Sequence, residues 1–140
     1  MSLSDWLTKK FSVSKKSLGQ RGEDAAAKFL KRKRYRILAR HLDSRLGELD
    51  IVAVDGRTVV FVEVKTRTDT CAGHPAEAID ERKQRRMTRA ALGFLKANRL
   101  LDYAARFDVV AITWDNAAAS PVIEHFENAF PPVGSGQFYS

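Results

Sequence analysis

The stretch from Gly47 to Arg67, GELDIVAVDGRTVVFVEVKTR, constrains the fold more than any other part of the chain. Two runs rich in β-branched residues flank Asp55-Gly56, a dipeptide suited to a two-residue type I′ turn, so the stretch reads as a β-hairpin. That turn sets Val54 opposite Arg57, Asp50 opposite Phe61 and Glu48 opposite Glu63. Directly opposed residues share a face and side chains alternate along each strand. One face then carries Glu48, Asp50, Val52, Val59, Phe61, Glu63 and Lys65; the other carries Leu49, Ile51, Ala53, Val60, Val62 and Val64. Apolar bulk on both faces needs cover on both, which puts the hairpin inside a sheet packed by helices on two sides. Charged residues in such a covered face demand an explanation.

The flanking sequence supplies the cover. Ser17 suits an N-cap, and Glu23, Ala26, Ala27 and Leu30 follow at i, i+3, i+4 and i+7, a helix whose inward face includes Glu23. YRILAR, Tyr35 to Arg40, is a first strand and HLDSRLG the connection after it. A second helix is expected from about Ala76 to Asn98, with Met87, Ala90, Ala91, Phe94 and Leu95 as its apolar stripe and Gly93 as a small cost. ARFDVVAITW and PVIEHF read as strands, the second at an edge because of Pro121. The order α-β-β-β-α-β-β implies an α/β domain with a central mixed β-sheet flanked by helices on both faces. The domain is expected over residues 17–130, between a basic flexible N-terminal arm, 1–16, and a loose C-terminal tail, 131–140.

Charge is unevenly spread. Residues 1–46 hold thirteen Lys/Arg against four Asp/Glu, 47–81 three against eight, 82–106 eight against one, and 107–140 none against four. Basic blocks around an acidic centre suit a protein that meets phosphate backbones with a divalent cation; solvated helix faces are the plain alternative. The lone Cys71 excludes an internal disulfide and a cysteine zinc site, and a reducing, cytoplasmic setting fits. No apolar run approaches the ~20 residues of a membrane span, and the N-terminus lacks a secretory h-region.

In the hairpin register above, Asp50 and Glu63 are diagonal neighbours, close enough to converge on one ion, and Lys65 points the same way. Mg²⁺ takes hard oxygen ligands and typically uses one or two protein carboxylates beside substrate phosphates. A neighbouring lysine can position or deprotonate water and stabilise charge on the phosphate. A structural ion-pair network is the competing explanation. Arg67, Lys83, Arg85, Arg86 and Arg89 are candidates for phosphate contact. His41, His74 and His125 are too scattered for zinc, and Asp108 suits a pair with Arg106.

An acid, a short gap, then Glu-x-Lys on a strand hairpin resembles the PD-(D/E)xK, restriction-endonuclease-like nuclease superfamily, with Asp50 as the first acid and Glu63-Val64-Lys65 as the Glu-x-Lys. Within it, GQRGEDAAAKFL, GELDIVAVDGRTVVFVEVKTR, AEAIDERKQRRMTRAA, RFDVVAI and ENAF, in that order over residues about 19–130, resemble the bacterial YraN-type family, related to Holliday junction resolvases. Gln84 is followed by Thr88 rather than tyrosine, so the RecB-like branch is not supported. The resemblance implies a Mg²⁺- or Mn²⁺-dependent endonuclease on DNA, branched DNA included. Asp50 and Glu63 would hold the metal, Glu23 would join them from the first helix, and Lys65 would act on water and phosphate. Glu48 is a further candidate ligand. Paired incisions would suit a homodimer. The alternative from another class is a catalytically inactive nucleic-acid-binding accessory module of the same fold.

Overall fold

A computed structural model describes residues 16–68, 79–114 and 120–134 of the chain. Residues 1–15 of the expected arm 1–16, Cys71, His74 and the end of the tail lie outside these residues. The second helix begins at Glu81 rather than about Ala76, since Ile79 and Asp80 are not helical and Asp80 is its N-cap. Helix α1 (Leu18–Arg32) leads into strands β1 (Arg36–Ser44), β2 (Gly47–Asp55) and β3 (Thr58–Arg67); α2 (Glu81–Ala97) follows, then β4 (Ala105–Thr113) and β5 (Val122–Phe130). The expected α/β order and mixed sheet are present. The five strands lie in sequence order, all neighbours antiparallel except β3 and β4, which are parallel.

Each helix buries one stripe against one face. On α1, Ala26, Ala27 and Leu30 pack with Ile51, Ala53, Val60, Val62, Val110 and Ile112. On α2, Met87, Ala90, Ala91 and Leu95 pack with Leu49, Val52, Val59, Phe61, Phe107 and Val109 across the sheet. Both starts are capped, the first as the sequence suggests: Gln20 N–H donates to Ser17 Oγ at 3.2 Å within a capping box, and Lys83 N–H donates to Asp80 Oδ1 at 2.8 Å. α1 is held close to β3 through Gly22, where a Cβ would fall 1.8 Å from Thr66 Oγ1.

Two further expectations are corrected. The hairpin turn is Gly56-Arg57, flanked by the pair Asp55↔Thr58, with Gly56 at φ 62° and Arg57 outside the positive region. Glycine as the first turn residue with φ positive there alone is the type II′ pattern, not type I′. The register moves by two: Val54 pairs with Val59 rather than Arg57, and Val52 rather than Asp50 pairs with Phe61. An even shift preserves the faces, except that Leu49 joins Val52 in the α2-side core instead of the α1 side. HLDSRLG is not a connection. Its first four residues, His41 to Ser44, prolong β1, and Arg45-Leu46 form the turn between Ser44 and Gly47. An edge strand with one partner needs few apolar residues, so its polar second half hid its state; Leu42 alone there packs on the core.

Candidate active site

The ladder between β2 and β3 ends at Ile51↔Val62. Asp50 and Glu63 are the next residues on the two strands beyond that pair, and neither Asp50 nor Glu48 has a ladder partner on β3; Leu49, packed with Val52 on the α2 side, marks a break in the alternation of β2 there. There the backbone ladder gives way to a side chain: Val64 N–H donates to Asp50 Oδ2 at 2.9 Å. The carboxylate thereby satisfies a strand amide that would otherwise want a carbonyl. Asp50 keeps Oδ1 free of hydrogen bonds from the described residues.

Glu63 continues the Val59–Phe61 side of β3, the side that α2 covers, and only 5% of the residue is exposed. Its Oε1 receives two cations. Lys83 Nζ donates to it from the first turn of α2, and Lys65 Nζ lies 3.9 Å away. Burial and then the negative charge of Asp50 push the Glu63 carboxyl up, against the pull of Lys83 and Lys65. Burial and then the charge of Lys83 hold the Lys65 amine below the usual lysine value, against the attraction of Glu63. Burial opposes charge on Lys83 as well, but Glu63 and Asp50 more than offset it and hold its ammonium above the usual value. The centre is thus two carboxylates and two amines that depend on one another for charge balance.

Glu23 projects from α1, the helix on the opposite face, and its Oε1 lies 3.6 Å from His41 Nδ1. His41 in turn lines a small cleft with Asp43, Glu48, Leu49 and Asp50. Glu48 is exposed and pairs with Asp43 across β1 and β2. Among the described residues no three His, Cys, Asp or Glu side chains gather as a metal-holding group. The donor set nonetheless fits one hard divalent ion: two carboxylates from adjacent strands, one oxygen of Asp50 uncommitted, and a carboxyl whose burial calls for a cation.

The residues assigned to phosphate divide. Arg67 Nε donates to Thr113 Oγ1 at 3.2 Å and its guanidinium lies 3.8 Å from Glu124, so it is tied to β4 and β5. Arg85 pairs with Glu81 along the helix. Arg86 and Arg89 are exposed on α2. Lys83 is bonded to Glu63 instead. Sequence reasoning assigned it to DNA, yet a signal was present: Lys83, Met87, Ala90 and Phe94 stand at i, i+4, i+7 and i+11, so the apolar stripe carried one turn back reaches it. Asp108 pairs with Arg106, Nε to Oδ1 at 2.9 Å, and with His125, as a structural reading of both expected.

The chain matches the Uncharacterised protein family UPF0102 over residues 22–112. It is 54% identical over 115 residues to a UPF0102 protein of Geobacter sulfurreducens, covering 82% of this chain and 89% of the relative. With a UPF0102 protein of Geobacter metallireducens it shares 51% over 119 residues, 85% and 96% of the two chains. A third, from Rhodopirellula baltica, is 49% identical over 125 residues, 87% of this chain and 75% of the relative.

Proposed function

The chain belongs to the uncharacterised, YraN-type family UPF0102, and from that premise we propose that it is a metal-dependent endonuclease acting on DNA. The observation that supports the reading is that Asp50 and Glu63 are the residues next beyond the last β2–β3 pair, with Asp50 bonded to the Val64 amide and Lys65 Nζ 3.9 Å from Glu63 Oε1. Asp50 and Glu63 would hold Mg²⁺ or Mn²⁺, which when bound supplies Lewis-acid stabilisation of the phosphate and a more acidic water. Lys65 orients the attacking water and meets negative charge developing on the phosphate. Burial strengthens both effects by lowering the local dielectric. Glu23, beside His41, supports the site from α1.

The exposed Arg86 and Arg89 on α2 are suited to backbone phosphates. Branched DNA is the substrate suggested by the resemblance to junction resolvases, and two matched incisions would be made by a symmetric homodimer. The work would be cytoplasmic, with which a single cysteine agrees; no helix among the described residues is long and apolar enough to cross a membrane. The reading is tested by metal-dependent cleavage that Asp50→Asn and Lys65→Ala remove.

A second reading rests on the Lys83–Glu63 pair, which balances charge with no ion required. It makes the chain a nucleic-acid-binding accessory module of the same fold. Binding of DNA without cleavage under any divalent ion would favour it.

A further inference from the structure

Lys83 is the one described residue of α2 whose charged end lies against the buried Glu63 carboxylate, and the geometry says what holds it there. Its backbone is fixed by the Asp80 cap, Lys83 N–H to Oδ1 at 2.8 Å. Its side chain is 33% exposed, and its Nζ donates to Glu63 Oε1, the oxygen that also faces Lys65. Met87, Ala90, Ala91 and Leu95 anchor the helix in the core, so the flexible lysine stem can swing away with no movement of α2. An ammonium bonded to Glu63 Oε1 occupies one of its lone pairs and repels a divalent ion brought to the same carboxylate.

We infer that Lys83 is a built-in counter-cation: together with Lys65 it balances the charge of the Asp50–Glu63 pair in the ion-free protein, and it competes with the divalent ion for Glu63. The inference rests on the reading of that pair as an ion site. A buried carboxylate beside a second, half-buried one is costly without a cation, so something must balance them before the ion arrives. Lys83 does this at a definite cost in ion affinity, because its charge repels the ion and its bond to Glu63 must be weakened or given up as the ion binds. It is a positioning residue here, acting through Glu63.

The test is Mn²⁺ binding by calorimetry, alongside thermal melting with and without Mn²⁺, on the full chain and on Lys83→Met and Lys83→Gln. Glutamine is included because it keeps a hydrogen-bond donor near Glu63 without the charge, should the methionine variant fail to fold. The expected result is a lower melting temperature without ion, Mn²⁺ affinity raised about tenfold or more, and a larger stabilisation by Mn²⁺ than in the wild type. Adding Glu63→Gln to Lys83→Met should restore much of the ion-free melting temperature and remove the gain in affinity, because no uncompensated charge remains. Mn²⁺ affinity equal to or below that of the wild type in both single variants overturns the inference while leaving the ion site standing. Absence of Mn²⁺ binding in wild type and variants alike overturns the ion site, and the inference falls with it.

Discussion

Asp50 Oδ2 accepts the amide hydrogen of Val64 at 2.9 Å, one step past the last β2–β3 ladder pair, so the first acid of the site also finishes the sheet. This dual role predicts different outcomes for two substitutions. Asp50→Asn keeps an oxygen that can accept from Val64 N–H and should melt close to the wild type. Asp50→Ala strands that amide, part-buried, and should cost about 1–3 kcal/mol. Denaturant unfolding of the two variants distinguishes them; equal losses would show that the bond to Val64 contributes nothing.

Gly22 touches Thr66 with no room for a methyl group. Gly22→Ala would set a Cβ 1.8 Å from Thr66 Oγ1 and 2.9 Å from its Cβ, and the helix must lift from β3. Overpacking of this kind costs about 1–3 kcal/mol. The cost should be smaller in a Thr66→Ala background, where the nearest of these atoms is gone, and a double-mutant cycle reads the difference. Additive losses would contradict the contact.

Asp108 anchors a buried polar network on β4, where it is paired with Val62 of β3. It accepts from Arg106 Nε at 2.9 Å, from His125 Nε2 at 2.8 Å and from Asn128 N–H at 2.9 Å, while Lys33 Nζ donates to His125 Nδ1 at 2.8 Å. Burial pushes its carboxyl up, but bonds from His125, Arg106 and the Asn128 amide outweigh burial and hold it below the usual aspartate value. A folded-state pKa below the unfolded one contributes stability that is present above the unfolded value, about 4, and lost as pH falls through the folded one. Asp108→Asn should therefore cost about 3–5 kcal/mol at neutral pH. The gap from the wild type should narrow as pH drops below about 4, read by denaturation across pH 2–7; a constant gap would exclude the carboxylate charge as its source.

The α2 arginines should differ in their contribution to DNA binding. Arg85 is engaged with Glu81 at 2.9 Å, whereas Arg86 and Arg89 stand exposed. Replacing Arg86 and Arg89 by Ala should reduce the slope of log affinity against log salt by about two, and Arg85→Ala by less. An unchanged slope in the double variant would remove α2 from the DNA path.

How far the chain could be read from its letters depended on what each residue has to do. The order of elements and both helix stripes were legible because burial imposes periods of 3.6 and 2 on Ala26, Ala27, Leu30 and on Val60, Val62. Asp50, Glu63 and Lys65 stood out because charge interrupts those periods. The turn was not legible: Asp55-Gly56 and Gly56-Arg57 both place glycine where φ is positive, and only the packed sheet selects between them. Gly93 looked like a helix defect; a Cβ there would fall 2.8 Å from Leu46 Cδ1, so its smallness lets the β1–β2 turn pack against α2. Lys83 was misjudged in direction because a lysine beside arginines resembles a solvated face until the distant Glu63 is brought beneath it.

The most direct measurement of the central claim is cleavage of labelled four-way junction, flap, single-stranded and linear duplex DNA with Mg²⁺ or Mn²⁺, comparing wild type, Asp50→Asn and Lys65→Ala. The account predicts ion-dependent cutting of at least one substrate, abolished by each substitution while the folded state persists. Tight DNA binding with no cutting under either ion, or cutting that survives both substitutions, would contradict it.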